Sequence, residues 1–189
     1  MSYVIREYTP ADESSWLRCR VLSFLDTAYF DDVKRAKPAI DAPGVELVAV
    51  GQDGLVCGIM DVSVDSEVAT IDTVAVHPDH QRHGIGRALL VEAGARLRAL
   101  GASTLDAWTR DEPETLRWYR AMGFAESEHY LHVFADCSTD EAEPDRAIGE
   151  RRARLRPVAV FAHGSLRDEQ VLRKQFARVH VCRRFSREA

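Results

Sequence analysis

The stretch QRHGIGRALL, residues 81–90, follows two residues after the apolar run TIDTVAVHP, residues 70–78. A strand pattern that runs into two glycines and then into an amphipathic helix pattern marks a strand, a loop and a helix mouth. The first amides of a helix have no partner within it, and the helix dipole favours an anion there. Gly84 and Gly86 place no side chain in the way, Arg82 adds a charge-assisted donor, and Gln81 and His83 are further donors. A phosphate or pyrophosphate is the natural guest of such a mouth. The plainer alternative is a glycine turn that only lets the helix pack against the sheet.

Two phosphate loops are excluded by the residues themselves. A P-loop needs Lys followed by Ser or Thr after its second glycine, and Arg87-Ala88 stands here. The dinucleotide fingerprint needs a third small residue, where this chain has Leu89, and the connection HPDHQRH is longer than its tight turn.

Outward from this motif, YVIREY at residues 3–8 alternates as a strand, and Thr9-Pro10 opens a helix with Trp16, Leu17, Val21, Leu22 and Leu25 on its apolar face. FDDVKRAKPAIDAPG, residues 30–44, reads as a second short helix running into a loop. ELVAVG, LVCGIMDVSVD and VATIDTVAV follow as an antiparallel meander with turns at Gly51–Gly54 and Asp65–Glu67. A helix from Ile85 to Leu100 stops at Gly101, STLDAWTR is the next strand, and EPETLRWYRAMGF is a helix with Pro113 in its first turn and Gly123 at its end. The strands flanking the Ile85 helix are expected to be parallel, so the fold class is α/β with a mixed, mainly antiparallel sheet flanked by helices. HYLHVFAD (129–136) and RVHVCRRF (178–185) read as late strands, separated by an inserted element with its own strand and helix.

With 189 residues and 46% apolar composition, one domain over residues 1–189 is the expectation. No run reaches the roughly 18 apolar residues that cross a bilayer and no signal peptide opens the chain, which points to a cytoplasmic protein with no membrane partner. Cys19, Cys57, Cys137 and Cys182 have no CxxC or zinc spacing, so neither disulfides nor a metal are expected. The formal charge is −5, with an acidic body and a net basic last quarter, which argues against nucleic acid.

The pattern V-H-P followed by Q-R-H-G-I-G-R-A resembles motif A of the GNAT superfamily, the acyl-CoA-dependent N-acetyltransferases, and LRWYRAMGF (116–124) resembles that family's second signature. The resemblance covers about residues 3–136 and a last strand at about 178–186, leaving 138–177 as an insertion. It implies acetyl-CoA as co-substrate: pantetheine on the backbone of Thr73, Val74, Ala75 and Val76 where a bulged strand leaves its neighbour, pyrophosphate on Gln81, Arg82, His83, Gly84, Ile85, Gly86, Arg87 and Ala88, and Tyr119 as proton donor to the leaving sulfur. A backbone N–H near Val74–Val76 is implied for the oxyanion. The family often has Asn where this chain has Glu112, and Ala where it has Thr115, which puts cofactor contacts from that helix entrance in doubt.

Asp61, Asp72 and Asp106 each interrupt an interior strand, where an unpaired carboxylate is costly to bury. Asp72 and Asp106 are the candidate bases because their strands border the split, and Asp61 is assigned to the acceptor. Tyr29 and Phe30, beside Asp26, Asp31 and Asp32, suit a small cationic amine, unless those acids simply face water on an amphipathic helix. The expected activity is acetyl transfer to a primary amine of a small molecule by direct attack in a ternary complex, by a monomer or homodimer. Protein or peptide N-acetylation, or a non-catalytic acyl-CoA-binding module that docks a partner through ERRARLR (150–156), are the alternatives.

Overall fold

The computed structural model describes residues 2–149 and 154–189, so the first four residues of ERRARLR lie outside the described residues. The order is β1 (Tyr3–Glu7), α1 (Glu13–Phe24), β2 (Gly44–Gly51), β3 (Val56–Asp65), β4 (Val68–Val76), α2 (Ile85–Ala99), β5 (Thr104–Arg110), α3 (Pro113–Ala121), β6 (Ala125–Asp136), α4 (Glu143–Ala147), β7 (Ala159–Gly164), α5 (Glu169–Gln175) and β8 (Arg178–Glu188). The strands form one sheet in the order β1-β2-β3-β4-β5-β8-β6-β7. β4 and β5 run parallel and the other recorded pairs are antiparallel, which is the mixed sheet expected from a helix between those two strands.

Alternation along the strands sends side chains to two separate cores. Leu47, Met60, Val62, Ala69 and Leu105 pack with Ile85, Leu89, Ala93 and Leu97 of α2 and with Tyr119 and Phe124. Each fully buried leucine here contributes about 2 kcal/mol. Val48, Ile59 and Ala75 face the other way, onto Trp16 and Cys19 of α1. A third cluster joins Leu131, Val133, Phe176, Val179 and Val181, with Leu166 and Leu172 against it, so the stretch between β6 and β8 covers the α2 side of the late strands. Gly84, with φ 79°, caps α2 at its start, and Gly101, with φ 88°, follows its end; both take a left-handed conformation that suits glycine.

Two expectations are corrected. Residues 30–44 form no helix, and three of their charged side chains pair with distant elements instead. Asp31 pairs with Arg178, Asp32 with Arg20, and Lys37 reaches Glu46 and Asp61 in the sheet. Pro38 and Pro43 bar a helix beyond them. The apolar face expected for α1 also differs: the buried stripe is Trp16, Cys19 and Arg20, while Leu25 lies past the helix end and is exposed.

Candidate active site

β4 and β5 pair only over Val68–Ile71 and Thr104–Ala107. Beyond that point Thr73–Val76 stay paired with β3, while Trp108–Arg110 pair with β8, so the two parallel strands diverge and their facing backbone edges open. A bulge accompanies the parting: Asp61 opposes Thr73 and Val62 opposes Ile71, leaving Asp72 as the extra residue. The bulge changes which residues face each core. Ala69 and Ile71 face α2 before it, whereas Val74 and Val76 do so after it and Ala75 joins the α1 core.

At the mouth of α2 the first helical bond runs from Ala88 N–H to Gly84 O at 3.0 Å. The amides of Ile85, Gly86 and Arg87 therefore precede any intrahelical acceptor. A Cβ at Gly84 would meet open space, and one at Gly86 would meet the Trp118 ring at 3.4 Å. The mouth thus has the free amides and the clearance that a pyrophosphate needs. Ala88 is a correction to the expected set, since its amide is already engaged in the helix. The Gln81 side chain donates to Val76 O at 3.2 Å and His83 turns toward His80 O at 3.3 Å, so both brace the loop, while Arg82 is exposed 3.8 Å from Glu114. Arg87 borders a concavity of about 370 Å3 between α2 and the end of α3, and a second of about 220 Å3 lies by Tyr3 and Ile85; neither coincides with the parting.

Tyr119 is 3% exposed, stacked on Phe185 at 5.3 Å and edge-on to Trp118 and Phe124, in the cluster that also holds Val74 and Val76. Burial pushes its hydroxyl further above the usual tyrosine range. Tyr29 comes to the parting as well: its hydroxyl accepts from Arg110 N–H at 2.9 Å, and the Arg110 guanidinium lies 4.2 Å over its ring. Phe30 does not join it but stays half-exposed under the Arg178 guanidinium.

The three aspartates have three different environments. Asp72 is exposed and accepts from Ser63 N–H at 2.9 Å. Asp106 is 9% exposed; Oδ1 is buried without a hydrogen-bond partner, and Arg184 Nε is 3.9 Å from Oδ2. It shares its sheet face with Trp108, which meets Tyr130 edge-on at 5.2 Å, while Arg184 also lies 3.3 Å from Glu128. Asp61 is 2% exposed, and burial pushes its carboxyl up to about 7 against the pull of Lys37. Among the described residues no His, Cys, Asp and Glu cluster could hold a metal, and no helix is long and apolar enough to cross a membrane.

Residues 43–126 match the family described as acetyltransferase (GNAT) domain. This segment contains the bulge, the parting and the α2 mouth. Over residues 43–126 the chain is similar to a GNAT acetyltransferase domain.

Among its relatives, an amino-acid acetyltransferase of Azotobacter vinelandii is 33% identical over 97 residues, 50% of this chain and 22% of that protein. The chain therefore spans well under a third of that relative. An aminoglycoside N(6')-acetyltransferase type 1 of Stenotrophomonas maltophilia is 29% identical over 139 residues, 68% of this chain and 90% of that protein. In fold, the chain is similar to a GNAT superfamily phosphinothricin acetyltransferase from Sinorhizobium meliloti in complex with AcCoA, with a TM-score of 0.62, 18% identity, and coverage of 100% of this chain and 89% of that one.

Two side chains stand out that the sequence reading did not assign to the site. Glu112 caps the start of α3 and accepts from Ala28 N–H at 2.8 Å, so it holds the 25–43 segment. Lys37 belongs to that segment and turns inward, its side chain 3% exposed. Nothing local signals either contact, because their partners are distant in the chain. Trp108 is different: its spacing from Asp106 and Arg110 already places all three on one strand face.

Proposed function

We propose that the chain transfers the acetyl group of acetyl-CoA to a primary amine of a small molecule, by direct attack in a ternary complex. The observation that carries this reading is the parting of β4 from β5 immediately before an open helix mouth. The co-substrate supplies the activated thioester. The free amides of Ile85, Gly86 and Arg87, with Arg82 beside them, suit its diphosphate. The open backbone of Thr73–Val76 suits the amide groups of its arm, and one N–H of Val74–Val76 suits the oxyanion.

Asp106 is the favoured base, because an unpaired carboxylate oxygen on this face is ready to receive a proton from an ammonium. Asp72, solvated and partly used by Ser63, would act through water. The neutral amine forms the new C–N bond, the C–S bond breaks as Tyr119 gives its proton to the departing sulfur, and the proton that the nitrogen loses as the amide forms passes through water to restore Tyr119. Trp108 and Tyr130 form an aromatic floor on which Asp106 and Glu128, with Arg184 between them, can meet a cationic acceptor. The names of the amino-acid and aminoglycoside relatives are consistent with that class.

Thiol release from acetyl-CoA across amino acids, aminoglycosides, polyamines and peptides tests the reading. Amine-dependent release is expected from small cationic amines. Binding of the co-substrate without release with any amine would leave the binding-module alternative, and release with peptides alone would select the protein-directed one.

A further inference from the structure

The Lys37 ammonium sits in a cage. It bonds Glu46, lies 3.3 Å from Asp61 Oδ1, and faces the rings of Tyr8 at 4.7 Å and Trp16 at 5.4 Å. Two carboxylates and two aromatic faces are the chemistry by which an alkylammonium is recognised. The fit of the lysine is incomplete: Asp61 Oδ1 is buried without a hydrogen bond despite the nearby ammonium, and Trp16 Nε1 is likewise buried without an acceptor. Asp61 and Asp106 lie on the same sheet face, on β3 and β5 either side of β4, opposite Thr73 and Thr70, so two strand spacings and three residues of register separate them, on the order of 13 Å.

The lysine reaches the cage from residues 25–43, which contain neither helix nor strand. A connection of this length without regular structure is unusual unless it has a function. Its fastenings are polar and differ in burial: Asp31 to Arg178 is partly exposed, whereas Asp32 to the buried Arg20, Ala28 to Glu112 and Arg110, and Lys37 N–H to Glu13 are more enclosed. Only the exposed pairs contribute little each, so displacing the caged ammonium must also be offset against the buried ties of Asp32 to Arg20 and of Ala28 to Arg110.

We propose that Tyr8, Trp16, Glu46 and Asp61 form a second ammonium subsite, for the far end of a diamine or polyamine acceptor, and that Lys37 fills it in cis until the acceptor displaces it. The inference rests on the parting of β4 and β5 being the transfer site. One ammonium of the acceptor enters the cage while the amine to be acetylated meets Asp106. Monoamines leave Lys37 in place and lose this anchor.

The test uses the whole chain, n-butylamine and 1,8-diaminooctane, the latter long enough to bridge the two carboxylates. In Lys37→Met the cage loses its cation, and both amines should raise the Tm by about 3 °C or more at saturation, while n-butylamine leaves the wild type unchanged. The KM for the diamine should fall about tenfold in the variant with kcat little changed. A variant melt indifferent to both amines would overturn the proposal. Should the variant not fold, hydrogen exchange on the wild type decides: saturating diamine should raise exchange in residues 25–43, and an unchanged profile sinks the idea. Neither readout needs acetyl transfer. Silence in both with transfer intact removes the subsite alone, and amine-dependent shifts without transfer remove the enzymatic reading alone.

Discussion

Glu112 Oε1 accepts a hydrogen bond from Ala28 N–H at 2.8 Å, which ties the start of α3 to the segment over the acceptor side of the sheet. The residue that departs from the usual family pattern therefore has a structural partner across 84 positions of chain. Glu112→Ala should destabilise the fold by about 1 kcal/mol and speed hydrogen exchange at residues 25–37, with Glu112→Gln milder because its amide oxygen can still accept. Unaltered exchange in Glu112→Ala would show that the tie is unimportant.

Tyr119 packs within the cluster that holds Val74 and Val76, so removing its hydroxyl leaves the ring contacts with Phe185 and Phe124 in place. Tyr119→Phe should keep co-substrate affinity, read by calorimetry, and lower kcat by about tenfold or more. Wild-type turnover would remove it from the proposed mechanism.

Asp106 offers a test in which activity and stability move apart. Its Oδ1 is buried without a hydrogen-bond partner and Arg184 stands only at 3.9 Å from Oδ2, so Asp106→Asn removes a poorly solvated carboxylate and should change the Tm little. The same change should lower kcat by about a hundredfold at neutral pH. An equal loss in Asp72→Asn with Asp106→Asn active would transfer the role of base to the exposed carboxylate.

Asp61 makes stability fall as pH rises. Burial holds its carboxyl up at about 7 in the folded state, with Glu46 and Asp72 also raising it and Lys37 opposing, whereas the unfolded chain ionises it near the ordinary value. Between about pH 4 and 7 the folded state binds the extra proton, and the stabilisation present below that window is lost through it. Asp12 has the opposite sign: its hydrogen bonds from Arg6, at 2.7 Å to each oxygen, hold its carboxyl at about 2, so its contribution is lost only as pH falls below the ordinary range toward that value. Denaturation of wild type and Asp61→Asn at pH 4.5 and 7.5 should show the variant gaining on the wild type at the higher pH. A constant difference would mean that Asp61 is ionised in the folded chain throughout.

Neighbouring residues alone carried the strand ending at Val76, the helix from Ile85, the glycine stops at Gly101 and Gly123, and the parallel pair across α2. Each follows from a period of two or 3.6 residues, or from a backbone angle that suits glycine, and such signals need no partner far away. The mouth of α2 was readable for the same reason, since free amides are a property of any helix start. Other features waited for the chain to fold. A single extra residue at Asp72 decides which side chains of β4 face each core, and so leaves Asp72 in water while Asp61 and Asp106 are buried. The 30–44 segment has the composition of a short helix, yet Arg20, Arg178, Glu46 and Asp61 take its charges one by one. Ion pairs of this kind depend on groups brought together from distant positions, and their strength depends on burial that only the packed sheet creates.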